Sequence, residues 1–300
     1  MHINHANLSS LFVAFSAAFK GGLNSVPTPQ HQLVATTVPS TTKANEYGWM
    51  GSIPRMREWL GSRVVHGIKS HGYSVKNLPF ELTVAVDRDD IEDDNLGIYT
   101  PLMTELGAAA ATHPDELVYG LLGRGHETKC YDGQYFFDTD HPVLDADGKK
   151  TTQSNLDNNS GNGTRWYLLD CSRTLKPLIY QTRKEPKFVA KTAETDDNVF
   201  NAKEYIYGVD CRRNAGFGLW QQAYCSRKGL DKDNLQAAIT ALETRTGDHG
   251  KPLGMKATHL VVPSSLKWKA IELLTPQRNA AGADNVMKDV VELIVPSWLS

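Results

Sequence analysis

The chain has 300 residues, 40% of them hydrophobic and 22% charged; a chain of this size buries roughly three quarters of its unfolded surface. That composition excludes intrinsic disorder, collagen-like repeats and a small disulfide scaffold. With 32 Lys and Arg against 34 Asp and Glu, the formal net charge is -2, which argues against a protein built mainly to grip nucleic acid.

Leu8, Leu11, Phe12, Phe15 and Phe19 recur at helical spacing and predict an amphipathic N-terminal helix stopped by Gly21-Gly22. No Lys or Arg precedes this run, as a secretory signal requires. It is also shorter than the about 20 apolar residues that span a bilayer. Its apolar face is expected to pack on its own domain or on a neighbouring chain. Cys130, Cys171, Cys211 and Cys225 form no CxxC pair, which fits buried, unpaired thiols in a reducing compartment and synthesis in the cytosol.

Residues 23–45, with Pro27, Pro29 and Pro39, read as an extended arm without a core of its own. Arg63 to Lys76, broken at His71-Gly72, suits a projecting hairpin. Phe80, Leu82, Val84 and Val86 alternate with more polar residues and predict a strand with one buried face. The acidic run Asp87 to Asp94 precedes a helix expected to start at Thr100-Pro101 and to kink or restart at His113-Pro114. Its apolar stripe ends at Gly123 and Gly125. The Asn-rich residues 145–164 suggest a surface loop or flap. From Trp166 to Tyr224 the chain reads as strand. A helix is expected over 233–244, a strand over 259–262, a helix carrying Leu266, Ala270, Leu273 and Leu274, and a closing strand over 290–295.

Catalytic signatures are sparse. Gly120 to Gly125 has the glycines of a phosphate loop but lacks its Lys-Ser/Thr, and neither GxSxG nor HExxH occurs. His126 with Asp138, Asp140 and His141 is the best metal candidate, because clustered imidazoles and carboxylates suit zinc or manganese. The competing account is a structural Asp–His or backbone contact, and it is preferred. The acidic run is better explained by the partial charge of a helix N-terminus than by a carboxylate pair for catalysis. Arg183, Lys184, Lys187, Arg212 and Arg213 are scattered, as ion pairs and solvated surface are, and Trp49, Trp59, Trp166 and Trp220 are expected as packing anchors. Arms and projecting hairpins expose backbone edges that a neighbour can cover, which favours an assembly protein over an enzyme.

Specific stretches then accumulate: Tyr47-Gly48-Trp49, Glu58-Trp59, His71 to Ser74, Arg88-Asp89-Asp90, Glu92 to Tyr99 and Pro114 to Leu117. Further on come Cys130 to Gln134, Phe136-Phe137-Asp138, His141-Pro142, Tyr167 to Arg173, Lys176-Pro177, Arg212-Arg213, Trp220-Gln221 and Thr258 to Pro263. In this order the chain resembles, essentially end to end, the major head subunits of Mu-like phages and prophages.

The resemblance implies an α+β chain with the Hong Kong 97 phage capsid fold. Its parts would be an N-terminal arm (1–45), an E-loop hairpin (46–86), a P-domain (87–229) and an A-domain region (230–300). The P-domain would hold a spine helix at about 95–123, the strands of 165–225 and the flexible loop 145–164. The implied function is structural: self-assembly into pentamers and hexamers of an icosahedral head around double-stranded DNA, with no catalytic residue, cofactor or metal. Phe12, Phe15, Trp59, Lys69, Tyr73 and Lys76 are the expected subunit-interface residues. Lys69 and Lys76 lie in the E-loop span, where some relatives cross-link, but no matching Asn or Glu is evident and no cross-link is expected. A separate scaffold and protease, a portal and a decoration protein are the implied partners, and no membrane. A chain that starts at Met1 fits a scaffold made as a separate protein. The alternatives are a metal-dependent hydrolase using His126, Asp138 and His141, or a phage connector or tail subunit.

Overall fold

The structure is a computed structural model that describes residues 5–26, 29–48, 72–93, 96–157, 163–278, 282 and 284–299. In chain order the first elements are α1 (His5–Leu23), α2 (His31–Val34), β1 (Ala35–Pro39), β2 (Ala44–Glu46), β3 (Ser74–Lys76), β4 (Leu78–Asp87), α3 (Arg88–Glu92) and α4 (Tyr99–Gly123). There follow β5 (His141–Leu144), β6 (Lys150–Gln153), β7 (Leu156–Asp157), β8 (Trp166–Leu169), β9 (Leu178–Lys191), α5 (Asp197–Ala202) and β10 (Glu204–Phe217). The chain closes with β11 (Ala223–Ser226), α6 (Lys232–Glu243), β12 (His259–Val261), α7 (Lys267–Leu274) and β13 (Glu292–Ile294).

One sheet has the order β1-β9-β10-β4. Its centre is the long antiparallel pair β9 and β10, joined through α5, and β4 runs beside β10 from Glu204 opposite Asp87 to Arg213 opposite Leu78. The helices α1 and α4 cover one face. Phe15, Phe19, Met103 and Leu106 meet Val86, Tyr205, Tyr207 and Val209 in a single buried cluster. The amphipathic strand expected at 80–86 is therefore buried only at Val86. Phe80 and Val84 are half-buried, and Leu82 is exposed.

The arm expected over 23–45 is built into this sheet. Val34 and Ala35 are buried, and β1 pairs in parallel with β9 from Ala35 opposite Leu178 to Pro39 opposite Thr182. Asp115 of α4 ties the arm down by accepting from the backbone N–H groups of Gln30 (3.2 Å) and His31 (2.8 Å), with His31 Nδ1 at 2.6 Å.

The long helix α4 continues unbroken through Pro114. Proline has no N–H, so the carbonyl four residues earlier loses its helical partner. That carbonyl, on Ala110, accepts instead from Arg213 Nη2 of β10 at 2.9 Å. The helix α1 likewise runs through both of its expected stop residues to Leu23. A Cβ on Gly22 would lie 1.8 Å from the Thr104 carbonyl oxygen, and one on Gly107 would lie 2.0 Å from that of Phe19. The two helices thus cross backbone against backbone, and only glycine fits at the crossing.

The second sheet has the order β13-β12-β8-β11-β7. In β8, Trp166 and Leu168 join one cluster with Leu235, Leu242, Leu260 and Ala270, while Tyr167 and Leu169 join another with Phe137, Trp220 and Ile294. A strand apolar on both faces belongs at a sheet centre covered on both sides. The strands of 165–225, expected as one group, consequently divide: β9 and β10 build the first sheet, β8 and β11 the second. The expected surface loop 145–164 contains β6 and β7, and Asn155 between them is fully buried.

The chain passes from β10 to β11 through a short buried turn, Trp220–Gln222. Its carbonyls accept from buried side chains: Arg245 Nη1 donates to Gln221 (2.8 Å), Ala223 (2.9 Å) and Trp220 (3.3 Å), and Asn155 Nδ2 donates to Trp220 (3.3 Å). Burial lowers the Arg245 pKa to about 10.

Neighbouring glycines should respond with opposite signs. At Gly21 an added Cβ meets nothing within 4 Å, so Gly21→Ala is expected to raise stability by about 0.5–1 kcal/mol through helix propensity. Gly22→Ala is expected to lower it by about 1–3 kcal/mol through overpacking and to open α1 to hydrogen exchange. Denaturant unfolding with exchange on residues 5–23 checks both, and equal behaviour of the two variants would refute the crossing.

Candidate assembly site

The expected interface residues separate into three sets. Phe12 and Phe15 lie on the inner stripe of α1: Phe12 stacks on Phe188 of β9 at 5.7 Å, and Phe15 meets Tyr207 of β10 edge-on at 5.1 Å. Phe15 is fully buried inside its own chain. Tyr73 and Lys76 lie at the root of the segment 46–86. The Tyr73 hydroxyl accepts from the Phe217 N–H at 2.7 Å, and its pKa is pushed up to about 12, chiefly by burial. Lys76 is exposed, and its backbone carbonyl accepts from Asn214 Nδ2 at 2.7 Å. Trp59 and Lys69 fall outside the described residues.

That root is held firmly. Gln181 of β9 is fully buried; its amide oxygen accepts from the Tyr47 hydroxyl (2.8 Å), and its Nε2 donates to the Val75 carbonyl (3.0 Å) and to Asn77 Oδ1 (2.8 Å). On the next stretch, Phe80 rests edge-on against His113 of α4 with centroids 4.3 Å apart. Burial, with help from the Arg213 charge, lowers the His113 pKa from 6.5 to about 4.

Large apolar side chains in water are the features that the sequence reading missed. Phe200 on α5 is 82% exposed, Trp268 on α7 75%, and Val13 on α1 64%. Ile98, just before α4, and Val286 are also exposed. A signal for two of them existed. Phe200 follows the buried Val199 and lies about 100° round the helix from it. Trp268 likewise falls off the stripe Leu266, Ala270, Leu273, Leu274.

The structure does not assemble the expected metal set. His126 Nδ1 sits 3.1 Å from the Gly123 carbonyl oxygen. The Asp138 carboxylate accepts from the backbone N–H groups of Thr139 (2.7 Å) and Tyr135 (3.2 Å), and Asp140 is exposed. His141 alone of that set enters a cluster, and its partners are Cys130 and Asp132. Its Nδ1 lies 2.7 Å from Asp132 Oδ2, and Cys130 Sγ donates to Asp132 Oδ1 at 3.1 Å. Burial pushes the Cys130 thiol pKa up, aided by the Asp132 charge. For Asp132 burial acts upward, but the hydrogen bond and charge of His141 outweigh it and the net shift is down.

The described residues form a mixed fold of two sheets with a long helix against the first, and Tyr47 and Tyr73 are both anchored to it. The family model described as "Mu-like prophage major head subunit gpT" matches residues 8–299. The chain belongs to that family. It is 43% identical over 306 residues to the major capsid protein of Escherichia phage Mu, covering all of both chains. It is 45% identical over 301 residues to the Mu-like prophage FluMu major head subunit of Haemophilus influenzae, covering 97% of each. Among solved structures it is similar to a chain of the procapsid of bacteriophage JBD30, with 48% identity, a TM-score of 0.87 and coverage of 99% of this chain and 100% of that one.

The fold is therefore that of the phage major capsid proteins, of Hong Kong 97 type, and the chain is a structural head subunit that builds a capsid lattice with copies of itself. The hydrolase and the connector or tail alternatives are not supported: the family is one of head subunits, and His126 and the Asp138 carboxylate are engaged in backbone contacts. Among the described residues, no helix is long and apolar enough to cross a membrane.

His113 supplies a pH test of the helix–strand contact. A pKa depressed in the folded state means that the unfolded chain binds the proton first. Stability from this group is fully present above about 6.5 and is lost as the pH falls towards about 4. Thermal unfolding across that window should be flatter for His113→Gln than for the native chain, and parallel curves would disprove the assignment.

Proposed function

We propose that the subunit closes into pentamers and hexamers that tile an icosahedral head around double-stranded DNA. Such rings need heterologous interfaces, one patch of each subunit meeting a different patch of the next. The full-length likeness to a procapsid subunit carries this reading. In it, residues 1–45 are the N-terminal arm and 46–86 the E-loop. β9 and β10 with α4 as spine form the P-domain, flanked in the same sheet by β1 of the arm and β4 of the E-loop span. The second sheet with residues 230–300 forms the A-domain, which takes in β8 and β11. The near balance of 32 basic and 34 acidic residues suits a lining that surrounds DNA without sequence-specific grip. A separate scaffold and protease, a portal and a decoration protein are the further partners, and the subunits are joined without covalent cross-links.

The exposed Phe200 and Trp268 are surfaces for a neighbouring subunit, since covering such a side chain is worth about 1.5–3 kcal/mol. Phe12, Tyr73, Lys76, Trp59 and Lys69 belong to the same proposal through the E-loop and the arm, while Phe15 acts by holding the arm's helix.

Electron microscopy of the protein, expressed alone and beside its neighbouring phage genes, tests the reading. Closed shells or free hexamers and pentamers are expected; a discrete dimer or tetramer in both preparations would sink it. Trp268→Asp should abolish ring closure, as loss of an interface anchor costs about 2 kcal/mol or more. Its unfolding free energy should stay within about 0.5 kcal/mol of the native chain, as for surface substitutions. On a denaturing gel, mature heads should run as a single subunit band, and a ladder would refute the absence of cross-links.

A further inference from the structure

Between α4 and β5, residues 124–140 contain no helix or strand, only the isolated bridge of Lys129 with Tyr135. Irregular segments of this length inside a domain are uncommon and need their own means of support. Here the segment is nonetheless packed, with Cys130, Tyr131, Phe136 and Phe137 buried.

The chemistry at its heart is specific. Asn155 donates through Nδ2 to the Phe136 and Trp220 carbonyls, and its Oδ1 accepts from the Asp138 N–H at 2.9 Å. Those contacts fix the amide orientation, so the Oδ1 atom facing His141 Nε2 at 3.3 Å is an acceptor and Nε2 carries its hydrogen. The imidazole plane is set by Trp220, stacked on it at 4.0 Å and 7°. The other nitrogen, Nδ1, is thereby aimed at Asp132 Oδ2 at 2.7 Å. Two lone pairs repel at that distance, so the pair shares either a proton or a cation bound to one side of the N–O line. Beside the pair stands Cys130 Sγ, 3.1 Å from Asp132 Oδ1, and the three donor atoms lie within 4.8 Å of one another.

A ligating histidine whose remaining N–H is held by an outer acceptor is the usual arrangement around zinc. Sulfur, nitrogen and oxygen donors together select zinc over magnesium or calcium. We propose that Cys130, Asp132 and His141 form a structural zinc site that clips the irregular segment to β5 and to the Trp220 turn. Thiolate, carboxylate and neutral imidazole make the site electrically neutral with one divalent cation. Binding releases the thiol proton, and any proton on Nδ1, to solvent. The Tyr135 carbonyl oxygen lies 4.0 Å from Sγ, and it or a water molecule would complete the four-coordination of zinc.

The test uses the full-length subunit purified without chelators. Elemental analysis should find about one zinc per subunit, and metal-depleted protein given cobalt(II) should show a thiolate-to-cobalt charge-transfer band in the near ultraviolet. Cys130→Ser should lose the band, while Cys211→Ser keeps it. X-ray absorption at the zinc edge of the native protein, which needs no variant to fold, should show one sulfur in the ligand shell. Zinc well below stoichiometry with no cobalt band, a band that survives Cys130→Ser, or a shell without sulfur would each overturn the proposal.

Discussion

The turn that carries the chain from β10 into β11 is the constraint on which the two sheets depend. Buried backbone carbonyls outside regular ladders need donors, because leaving a buried polar group unpaired costs about 1–3 kcal/mol. At Trp220–Gln222 these donors come from far along the chain. Asn155 reaches in from between β6 and β7, the Asp170 N–H from the end of β8 donates to the Gln222 carbonyl at 2.8 Å, and Arg245 comes from beyond α6. Burying the Arg245 guanidinium is unfavourable, and its lowered pKa records that. Three carbonyl dipoles and the Trp220 ring, 5.5 Å from its central carbon, offset the cost. All three donors come from the second sheet and the chain around it, so the end of β10 is fastened to that sheet.

A second long-range donor explains the spine. Arg213 satisfies the Ala110 carbonyl that Pro114 leaves without a partner, so a residue that ordinarily ends a helix is tolerated in the middle of a 25-residue one. Burial, and to a lesser degree the same guanidinium, depresses the pKa of His113, against which Phe80 of β4 is packed. Helix continuity depends on this side chain, and its charge adds to burial in lowering the His113 pKa.

For a head subunit this division of labour has a physical logic. Phe15 and Phe19 of α1, the inner face of the long helix and both sheet cores are packed within the chain itself. Phe200, Trp268 and Ile98 remain in water at the ends of short elements, where a neighbour can cover them without disturbing the core. Gln181, Tyr47 and Tyr73 fasten the described ends of the segment 46–86 to β9 and β10.

Much of this was legible in the sequence. Helical periodicity located α1, α4 and α6 to within a few residues, alternation located β4, and the order of short motifs identified a head subunit of the Mu-like type. These features are local, since the apolar face of an element is written in its own spacing. What tertiary structure alone decided is which partner each face meets. Gly21-Gly22 looks like a helix stop, yet Gly22 is the contact point with Thr104, more than eighty positions away. The strands of 165–225 look like one group, yet they part between two sheets because β8 has both faces covered. Asn155 sits in a polar run and reads as surface, while the fold buries it and uses it to orient His141 towards Asp132 and Cys130. Hydropathy marks an isolated polar side chain as exposed; only the arrangement of distant donors and acceptors can turn it into the centre of a site.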